Sequence, residues 1–412
     1  DSYVKWGATM LDRMPADWQR SLVVIRTPAL PSTAQLGAAL AGTRFTVADT
    51  KVVDLDDLGA ILGTQEPDVV LLSVRGPVVR VLVRQVVATA QRRPVIVGGL
   101  PGISIPETLG ALYYRSQVDL FVLHSKREVR VFGELADHLG IEQKFALAAL
   151  PFLSARHPGA RQGTDIVFAP QVKVPKSLEA RTQLLGWLVE AARRHPERRV
   201  VIKLRGMVGE AQTHSERYPY DVLLQHVDDA PDNLVLSTGS MTEHLHDAGA
   251  LVTVSSTAAL EAIAAGVPVL AIDDFGVTAR LINLVFEDSG LLAGSSALID
   301  ADFREPSEHW LDDNYFHAPS DETWIHLIEE AVARREAGEL PLRRQFRGSL
   351  GGNLRRVWDR KRALGKYDRT VGGFVALAVG LPLRGAVRRL RKLRAKLRRS
   401  TEPVEQELVR VP

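Results

Sequence analysis

Short apolar runs alternate with amphipathic stretches along the first 150 residues. The runs predict four buried parallel strands, at Leu22–Ile25, Asp68–Ser73, Pro94–Val97 and Asp119–Leu123. Between the second and third of these, Val78–Arg92 has the apolar spacing of a helix. Strands that alternate with helices in this rhythm predict βαβ units and a doubly wound α/β sheet.

A polar segment with glycine and proline, residues 154–164, separates this series from a second one. The second series predicts strands Asp165–Ala169, Arg199–Leu204, Leu234–Ser237, Leu251–Val254 and Val267–Ile272, and helices Ser177–Arg194 and Thr257–Ala265. We therefore predict two Rossmann-like domains, residues 1–157 and 158–340, and a third segment, residues 341–412, with a crossing helix and a basic tail. The strand ends of two such domains face a common cleft, where open α/β sheets bind ligands.

Composition excludes several kinds of chemistry. The 412 residues include no cysteine, so a thiolate nucleophile and cysteine metal ligands are excluded. The longest apolar run, Val371–Leu383, is shorter than the roughly 20 residues that span a bilayer. The sequence opens at Asp1 without a charged and apolar leader, so we expect no secretory signal and a cytoplasmic location.

Positive charge is concentrated near the carboxyl end. Residues 342–399 hold 19 Lys and Arg against two acids, although the net charge of the chain is only +3. A stripe of Leu and Val lies along one helical face from Leu383 to Leu397, and the cations on the other faces include Arg388, Arg389, Arg391, Lys392, Arg394 and Lys396. This pattern predicts a peripheral contact with anionic lipid at the inner face of the cell membrane, with Phe374–Leu383 as an apolar wedge.

Two other uses of the tail stay open, coiled-coil pairing and RNA binding. The rest of the chain is acidic and should repel nucleic acid, so no nucleic-acid partner is expected. We also expect the tail, from about Thr370, to be dispensable for folding.

The segment from Leu251 to Leu270 contains the most informative motif. A predicted strand ends in three hydroxyls, Ser255, Ser256 and Thr257, and a helix with Glu261 in its first turn follows. A capped helix start offers backbone N–H groups to a phosphate, and the carboxylate of Glu261 can accept from ribose hydroxyls. The alternative is that the hydroxyls only cap the helix and Glu261 only interacts with its dipole.

This segment, with its Glu-Ala and Gly-x-Pro continuation, resembles the donor-binding motif of GT-B glycosyltransferases. It is most similar to the capsule-polysaccharide Kdo-transferase and bacterial sialyltransferase group, and the lead-in Thr238–Thr253 is similar too. The resemblance covers about residues 230–275. It implies a CMP-activated sugar as donor substrate and a role in cell-surface polysaccharide synthesis.

A second motif of that group, Lys-x-His-Pro at a strand end, is altered here. Lys203 is retained, whereas Arg205 stands where the group has a histidine that contacts the donor phosphate. A guanidinium can pair with phosphate oxygens but cannot donate a proton near neutral pH, so leaving-group stabilisation is electrostatic or the acid is His214. Alternatively, both residues are surface charges. By position, Gln171, Gly239 and Ser240 are further donor-binding candidates.

The base that deprotonates the acceptor hydroxyl is expected on a strand end of the first domain. Glu107, His124 and Asp1 are the candidates. The cluster Gly98–Gly102 lacks the spacing of a dinucleotide fingerprint and is either a ligand-approaching turn or a tight loop.

No Asp-x-Asp metal motif is present. We interpret the acidic pairs Asp56-Asp57, Asp228-Asp229, Asp273-Asp274 and Asp312-Asp313 as turns and helix caps. Neither a metal nor another cofactor is therefore expected.

These observations predict a metal-independent, inverting glycosyltransferase that uses a nucleotide sugar, with CMP favoured, and a glycan or lipid-linked acceptor. The alternatives are a UDP-sugar transferase or glycerophosphotransferase of the same fold, a phosphorylase or epimerase, and a non-catalytic nucleotide-sugar-binding protein. Residues 1–7 also resemble the start of an actinobacterial branch of predicted glycosyltransferases. In that branch a strand precedes the position of Asp1.

Overall fold

A computed structural model describes residues 2–151, 153, 163–171, 174–204, 217–343, 352–380 and 382. Within these ranges the chain forms two α/β domains whose sheets are entirely parallel. The fold class is the one predicted, two Rossmann-like domains that face a cleft in the GT-B manner.

The N-terminal domain contains a four-stranded sheet in the order β3-β4-β5-β6 and a separate two-stranded sheet, β1-β2. Its strands are β1 Val23–Ile25, β2 Lys51–Val53, β3 Val69–Leu72, β4 Val95–Gly99, β5 Leu120–Leu123 and β6 Phe145–Leu147. Its helices are α1 Ser2–Asp12, α2 Thr33–Leu40, α3 Leu58–Gln65, α4 Gly76–Thr89, α5 Leu109–Arg115 and α6 Lys126–His138. The four strands and the helix predicted from periodicity all occur, with bounds shifted by one to three residues.

The C-terminal domain contains a six-stranded sheet in the order β12-β11-β10-β7-β8-β9. Its strands are β7 Asp165–Phe168, β8 Val200–Lys203, β9 Leu234–Ser237, β10 Ala248–Thr253, β11 Val269–Ile272 and β12 Leu292–Ala293. Its helices are α7 Leu178–Arg194, α8 Tyr220–Leu224, α9 Met241–Asp247, α10 Ala258–Ala264, α11 Ser295–Ile299 and α12 Glu308–Asp313. The predicted bounds of the strands in this half differ from the observed bounds by at most three residues.

Two helices then return to the N-terminal domain: α13 Trp324–Glu336 and α14 Gly352–Leu364. Helix α13 packs on β4, β5 and β6, with Trp324 and Ile328 buried in the same cluster as Trp6 and Met10. The structure therefore places the second domain boundary near residue 323 rather than 340. The helix was predicted, but its location was not, because periodicity does not show which sheet an apolar face covers.

The tail begins as a packed element. Residues 371–380 are helical, Ala376 is buried, and the Lys361 ammonium lies 3.5 Å from the ring centroid of Phe374. This contact of residues 371–380 with α14 argues against a tail that is dispensable from Thr370 onward. The predicted lipid-binding cations, from Arg388 to Lys396, lie outside the described residues. No described helix combines the length and the hydropathy needed to cross a membrane.

The two domains touch through α6 and the loop after β4. Ile105 and Leu150 of the first domain are buried in one cluster with Ala258 and Ala259 of the second. Across the same boundary, the buried Glu128 carboxylate accepts a hydrogen bond of 2.6 Å from the hydroxyl of Tyr315. These contacts fix how the ends of the two sheets face each other.

Candidate functional site

The predicted motif lies where β10 ends and α10 begins. The Thr253 hydroxyl donates to the carbonyl of Ala169 at 2.9 Å and accepts from the Ser256 N–H at 3.0 Å. The Ser256 hydroxyl accepts from the N–H of Ala258 at 3.2 Å, whereas the Thr257 side chain makes no capping bond. Of the two predicted caps, Ser256 therefore serves the helix start and Thr257 is exposed beside it.

Fewer backbone donors are available here than the sequence suggested. The N–H groups of Ala259 and Leu260 bond to the carbonyls of Ser256 and Thr257, at 3.1 and 3.0 Å. Together with the Ser256 and Ala258 bonds, these contacts use most of the donors in the first turn. The expected row of free donors is reduced because the strand-to-helix turn closes on its own carbonyls.

Ser255 and Gln171 form a pair between neighbouring strand ends. The Ser255 hydroxyl donates to Gln171 Oε1 at 3.0 Å, and Gln171 Nε2 donates to the Ser255 carbonyl. Strand β7 lies next to β10 in the sheet, so two residues separated by 84 positions come into contact. Ser255 itself is buried, which makes this pair a support for the turn that presents Ser256 and Thr257.

Glu261 is the charged centre of the site. Burial raises the pKa of its carboxyl group, and the positive charges of Lys5 and Lys203 act in the opposite direction. The two lysines come from different domains, Lys5 from α1 and Lys203 from the end of β8. The structure thus places Lys203 near Glu261 and adds Lys5, which the sequence pattern did not indicate.

Gly239 and Ser240 lie further away. They follow β9, and β7 and β8 separate that strand from β10. At about 4.8 Å per strand, this separation is roughly 14 Å. Ser240 caps α9 in a capping box with Glu243, and Gly239 has φ of 111°, so the turn has a local structural explanation.

The base candidates are placed very differently. Glu107 is half-buried and stands two residues after Ile105, which packs on the second domain. His124 is fully buried: Trp6 Nε1 donates to its Nε2 at 2.6 Å, and its Nδ1 lies 2.8 Å from the Ala148 carbonyl. Burial lowers the pKa of His124 to about 4. A neutral imidazole with both nitrogens engaged does not reach an acceptor, so the geometry favours Glu107.

The glycine cluster after β4 has a packing explanation. A Cβ at Gly99 would lie 2.4 Å from the Trp6 ring, and one at Gly98 would lie 3.2 Å from Val118. Of the two interpretations, a tight structural approach accounts for these two glycines.

Arg205, His214 and Asp1 lie outside the described residues. Within the described part of the chain, no group of three or more His, Asp or Glu side chains is arranged to hold a metal ion. Two of the acidic pairs predicted as turns and caps also take part in ion pairs, Asp56 with Arg360 at 2.8 Å and Asp313 with Arg130 at 2.8 Å.

Two Rossmann-like domains that face a cleft are typical of the GT-B fold. The chain belongs to the family described as Putative glycosyltransferase (DUF6716), whose model matches residues 1–331. A search of curated proteins gave no match. The comparisons show the glycosyltransferase class and do not show the Kdo-transferase or sialyltransferase subgroup.

Solved structures share the fold at low sequence identity. A UDP-N-acetylglucosamine 2-epimerase has a TM-score of 0.52 and 11% identity, over 84% of this chain and 96% of that chain. The S. aureus MnaA–UDP structure has a TM-score of 0.48 and 12% identity, over 82% and 95%. The GtfA/B complex has a TM-score of 0.46 and 14% identity, over 68% of this chain; the chain spans 61% of its length.

Proposed function

We propose that this glycosyltransferase binds a pyrimidine-nucleotide sugar against the end of β10 and transfers the sugar, with inversion and without a metal ion, to a glycan or lipid-linked acceptor. The observation that supports the proposal is the half-buried Glu261 carboxylate, near which lie a lysine from each domain. A carboxylate in this position can accept hydrogen bonds from both ribose hydroxyls. The lysines supply positive charge for the phosphates that leave with the nucleotide.

We favour a UDP-sugar over the CMP-sugar that the sequence resemblance implied. A diphosphate carries more negative charge than a monophosphate, and Lys5 and Lys203 supply charge from opposite sides of the cleft. The epimerase that shares the fold acts on a UDP-sugar. The assay therefore compares several nucleotide sugars as donors.

Glu107 is the base candidate that the geometry supports. Its carboxylate belongs to the loop that follows β4, and that loop packs against the domain that holds Glu261. No hydrogen-bond partner for its side chain is found among the described residues. An acidic side chain at this boundary can take the proton from an acceptor hydroxyl as the sugar transfers.

The test is a thermal-shift panel with UDP, CMP, GDP and their sugars, followed by turnover with the stabilising donor. A ligand that binds only the folded chain raises its stability by RT ln(1 + [L]/Kd), so the correct nucleotide raises Tm in a dose-dependent way. We expect UDP to shift Tm more than CMP. Turnover should persist in EDTA if no metal takes part.

The diagnostic variant is Glu261→Gln, with Glu190→Gln on the exposed face of α7 as the matched control. Loss of a charge-assisted ribose contact should weaken nucleotide binding by roughly 10-fold or more. Glu107→Gln should instead lower kcat with little change in nucleotide affinity. Unchanged affinity in Glu261→Gln would remove the proposed donor site, and a larger shift with CMP would restore the CMP-sugar assignment.

We further propose that the carboxyl-terminal segment brings the enzyme to the inner face of the membrane. The helical residues 371–380 bury Gly373 and Ala376 and expose an apolar face, with Val371, Phe374, Val375 and Val379 between 45% and 79% exposed. Nine Lys and Arg follow between residues 384 and 399. An exposed apolar face beside a dense run of cations suits an anionic lipid interface and places the active site near a lipid-linked acceptor.

A further inference from the structure

A buried carboxylate joins three segments at the boundary between the two domains. Glu128, the third residue of α6, is fully buried. Its Oε1 accepts hydrogen bonds from the Ser104 N–H at 2.7 Å and from the Tyr315 hydroxyl at 2.6 Å. Its Oε2 accepts from the His124 N–H at 2.9 Å. The three donors belong to the loop after β4, the segment after α12 and the end of β5, so one carboxylate fixes these segments relative to one another.

Helix capping explains one of the two carboxylate oxygens. The Ser125 hydroxyl caps α6 by accepting from the Glu128 N–H at 3.0 Å, and Oε2 of Glu128 reaches back to the residue before the cap. Both contacts are local and stabilise the first turn of the helix. The contacts of Oε1 are not local, because 24 positions separate Glu128 from Ser104 and 187 separate it from Tyr315. Oε1 therefore has a role that a helix cap does not require.

The contacts of Glu128 match the charged form of its side chain. All three partners donate, and an ionised carboxylate only accepts. Burial raises the pKa of this carboxyl group, and the hydrogen bonds from Tyr315 and from the backbone act in the opposite direction. A buried charge is costly unless it keeps such hydrogen bonds. The loss of one donor should therefore shift the carboxylate or the segments that are bonded to it.

The loop that Glu128 holds also carries the proposed base. Ser104 stands three residues before Glu107. Between them, Ile105 is buried against the first residues of α10, the helix that contains Glu261. The loop is thus held twice beside the proposed donor site, by the hydrogen bond to Glu128 and by the packing of Ile105.

Tyr315 belongs to the core of the second domain. Its side chain is 3% exposed and lies in the same hydrophobic cluster as Ile105. Its hydrogen bond to Glu128 therefore links this core to the loop after β4. Two residues further along α6, Arg130 pairs with Asp313 of α12 at 2.8 Å in a more exposed position. This second contact joins α6 to α12 directly rather than through the loop, so it offers a matched control.

We propose that Glu128 and Tyr315 are positioning residues for the transfer reaction. Through the Ser104 N–H they hold the loop that carries Glu107 at a fixed distance from the proposed donor site at Glu261. This inference rests on the proposed role of Glu107 as the base. A misplacement of about 1 Å can lower a rate by about 100-fold. Because Glu261 and its helix are left in place, the effect should appear in kcat rather than in nucleotide affinity.

Tyr315→Phe tests the hydrogen bond between the domains. The variant keeps the ring in its cluster and removes the hydroxyl that bonds to Glu128. We expect kcat to fall roughly 10-fold, with the donor KM and the nucleotide-induced rise in Tm unchanged. Hydrogen exchange at the amides of residues 102–107 should become roughly fivefold faster, because the loop has lost one of its restraints. This exchange measurement reports on the loop without depending on turnover.

Two further variants separate positioning from general contact between the domains. Glu128→Gln should lower kcat further than Tyr315→Phe does, because an amide cannot accept hydrogen bonds at both ends, where the two backbone N–H groups lie. Arg130→Gln removes the exposed ion pair and should leave kcat and loop exchange within about twofold of the wild type. Tyr315→Phe decides the proposal even where Glu128→Gln does not fold.

The double variant of Tyr315→Phe with Glu107→Gln shows whether the tyrosine acts through the base. We expect it to be no slower than Glu107→Gln alone, because a base that has been removed can no longer be misplaced. The proposal is overturned by wild-type kcat or unchanged loop exchange in Tyr315→Phe, by an equal loss in Arg130→Gln, or by losses that multiply in the double variant. Wild-type kcat in Glu107→Gln alone would instead contradict the proposed base, and loop exchange would then decide whether Glu128 and Tyr315 hold the loop.

Discussion

At the residue scale, the pairing of Trp6 with His124 explains two features that the sequence offered as candidates for catalysis or ligand binding. The histidine follows β5, the tryptophan comes from α1, and Gly99 lacks a side chain where the indole ring passes. Their rings meet edge to face at 5.9 Å. A strand-end histidine and a glycine cluster therefore serve to hold α1 against the sheet, and through it to hold Lys5 near the cleft.

The lowered pKa of His124 predicts a specific acid sensitivity. The unfolded chain binds a proton at this position below about pH 6.5, whereas the folded chain does so only below about pH 4, so stability falls as pH drops through this window. Each pKa unit is about 1.4 kcal/mol, so the loss approaches about 3 kcal/mol. In His124→Gln that part of the pH dependence should disappear.

The measurement is urea denaturation of both chains between pH 7 and pH 4, compared by slope rather than by absolute stability. The titration of Glu128 and other acids is common to both chains and cancels in the difference. His226→Gln, on an exposed helix end, is the control. Parallel stability curves for the wild type and His124→Gln would show that this histidine is not held neutral.

Gly99→Ala should destabilise the fold because its methyl group would overlap the Trp6 ring, which lies 2.4 Å from the Cβ position. Overpacking of this kind costs about 1–3 kcal/mol. Gly102→Ala is the matched control, since no atom lies within 4 Å of its Cβ position, and it should change stability by less than about 0.5 kcal/mol. Equal free energies of unfolding for the two variants would contradict the packing explanation.

At the element scale, the two carboxyl-terminal helices α13 and α14 belong to the domain formed by the first residues of the chain. Arg335 of α13 donates to the Asp68 carboxylate at 2.6 Å, and Ala363 and Leu364 of α14 are buried with α4. Within the described residues, the first and last elements therefore belong to one domain, and the elements of the other domain lie between them in sequence. The chain therefore passes between the two domains twice, from β6 to β7 and from α12 to α13.

Trp324→Ala tests that arrangement. The side chain is buried against β4 and β5, and its truncation should cost about 3–5 kcal/mol. Hydrogen exchange should accelerate in β4 and β5, while His326→Ala on the exposed face of the same helix should have little effect. Faster hydrogen exchange in β10 and β11 instead would show that α13 packs on the C-terminal domain.

At the scale of the whole molecule, residues 342–399 are strongly cationic and the rest of the chain is acidic. Membrane binding should therefore depend on the distribution of charge more than on the net charge of +3. The full chain should sediment with phosphatidylserine vesicles at low salt, and less as ionic strength rises and shortens the Debye length. Each cation near such a surface contributes about 1 kcal/mol. A chain that stops after residue 382 keeps the packed residues 371–380 and should lose most of the binding.

The matched control keeps full length and changes only charge: Arg388, Arg389, Arg391, Lys392, Arg394 and Lys396 all to Gln. It should sediment as weakly as the shortened chain while retaining the same nucleotide-induced rise in Tm. Two results would contradict this prediction: full-length chain that does not sediment with anionic vesicles at low salt, or a Gln variant that sediments with them equally well. Either would show that the tail does not recognise lipid charge.

The sequence by itself determined the elements, the class of fold and the position of the hydroxyl-rich turn after β10. Parallel strands buried on both faces are continuous apolar runs. The runs that contain Ile166, Val201 and Val252 therefore predict their strands without tertiary information. The break between strand and helix at Ser255–Thr257 is equally local, because it depends on hydroxyls that bond to nearby backbone.

Only the tertiary structure decided which chemically capable residues meet. Lys5 lies near Glu261 although 256 positions separate them. His124 is buried in a hydrogen-bonded pair with Trp6, which lies 118 positions away in the chain. The same holds for α13, whose apolar stripe does not show which sheet it covers. Contacts of this kind depend on how elements are arranged in space, and local patterns of apolar and polar residues do not encode that arrangement.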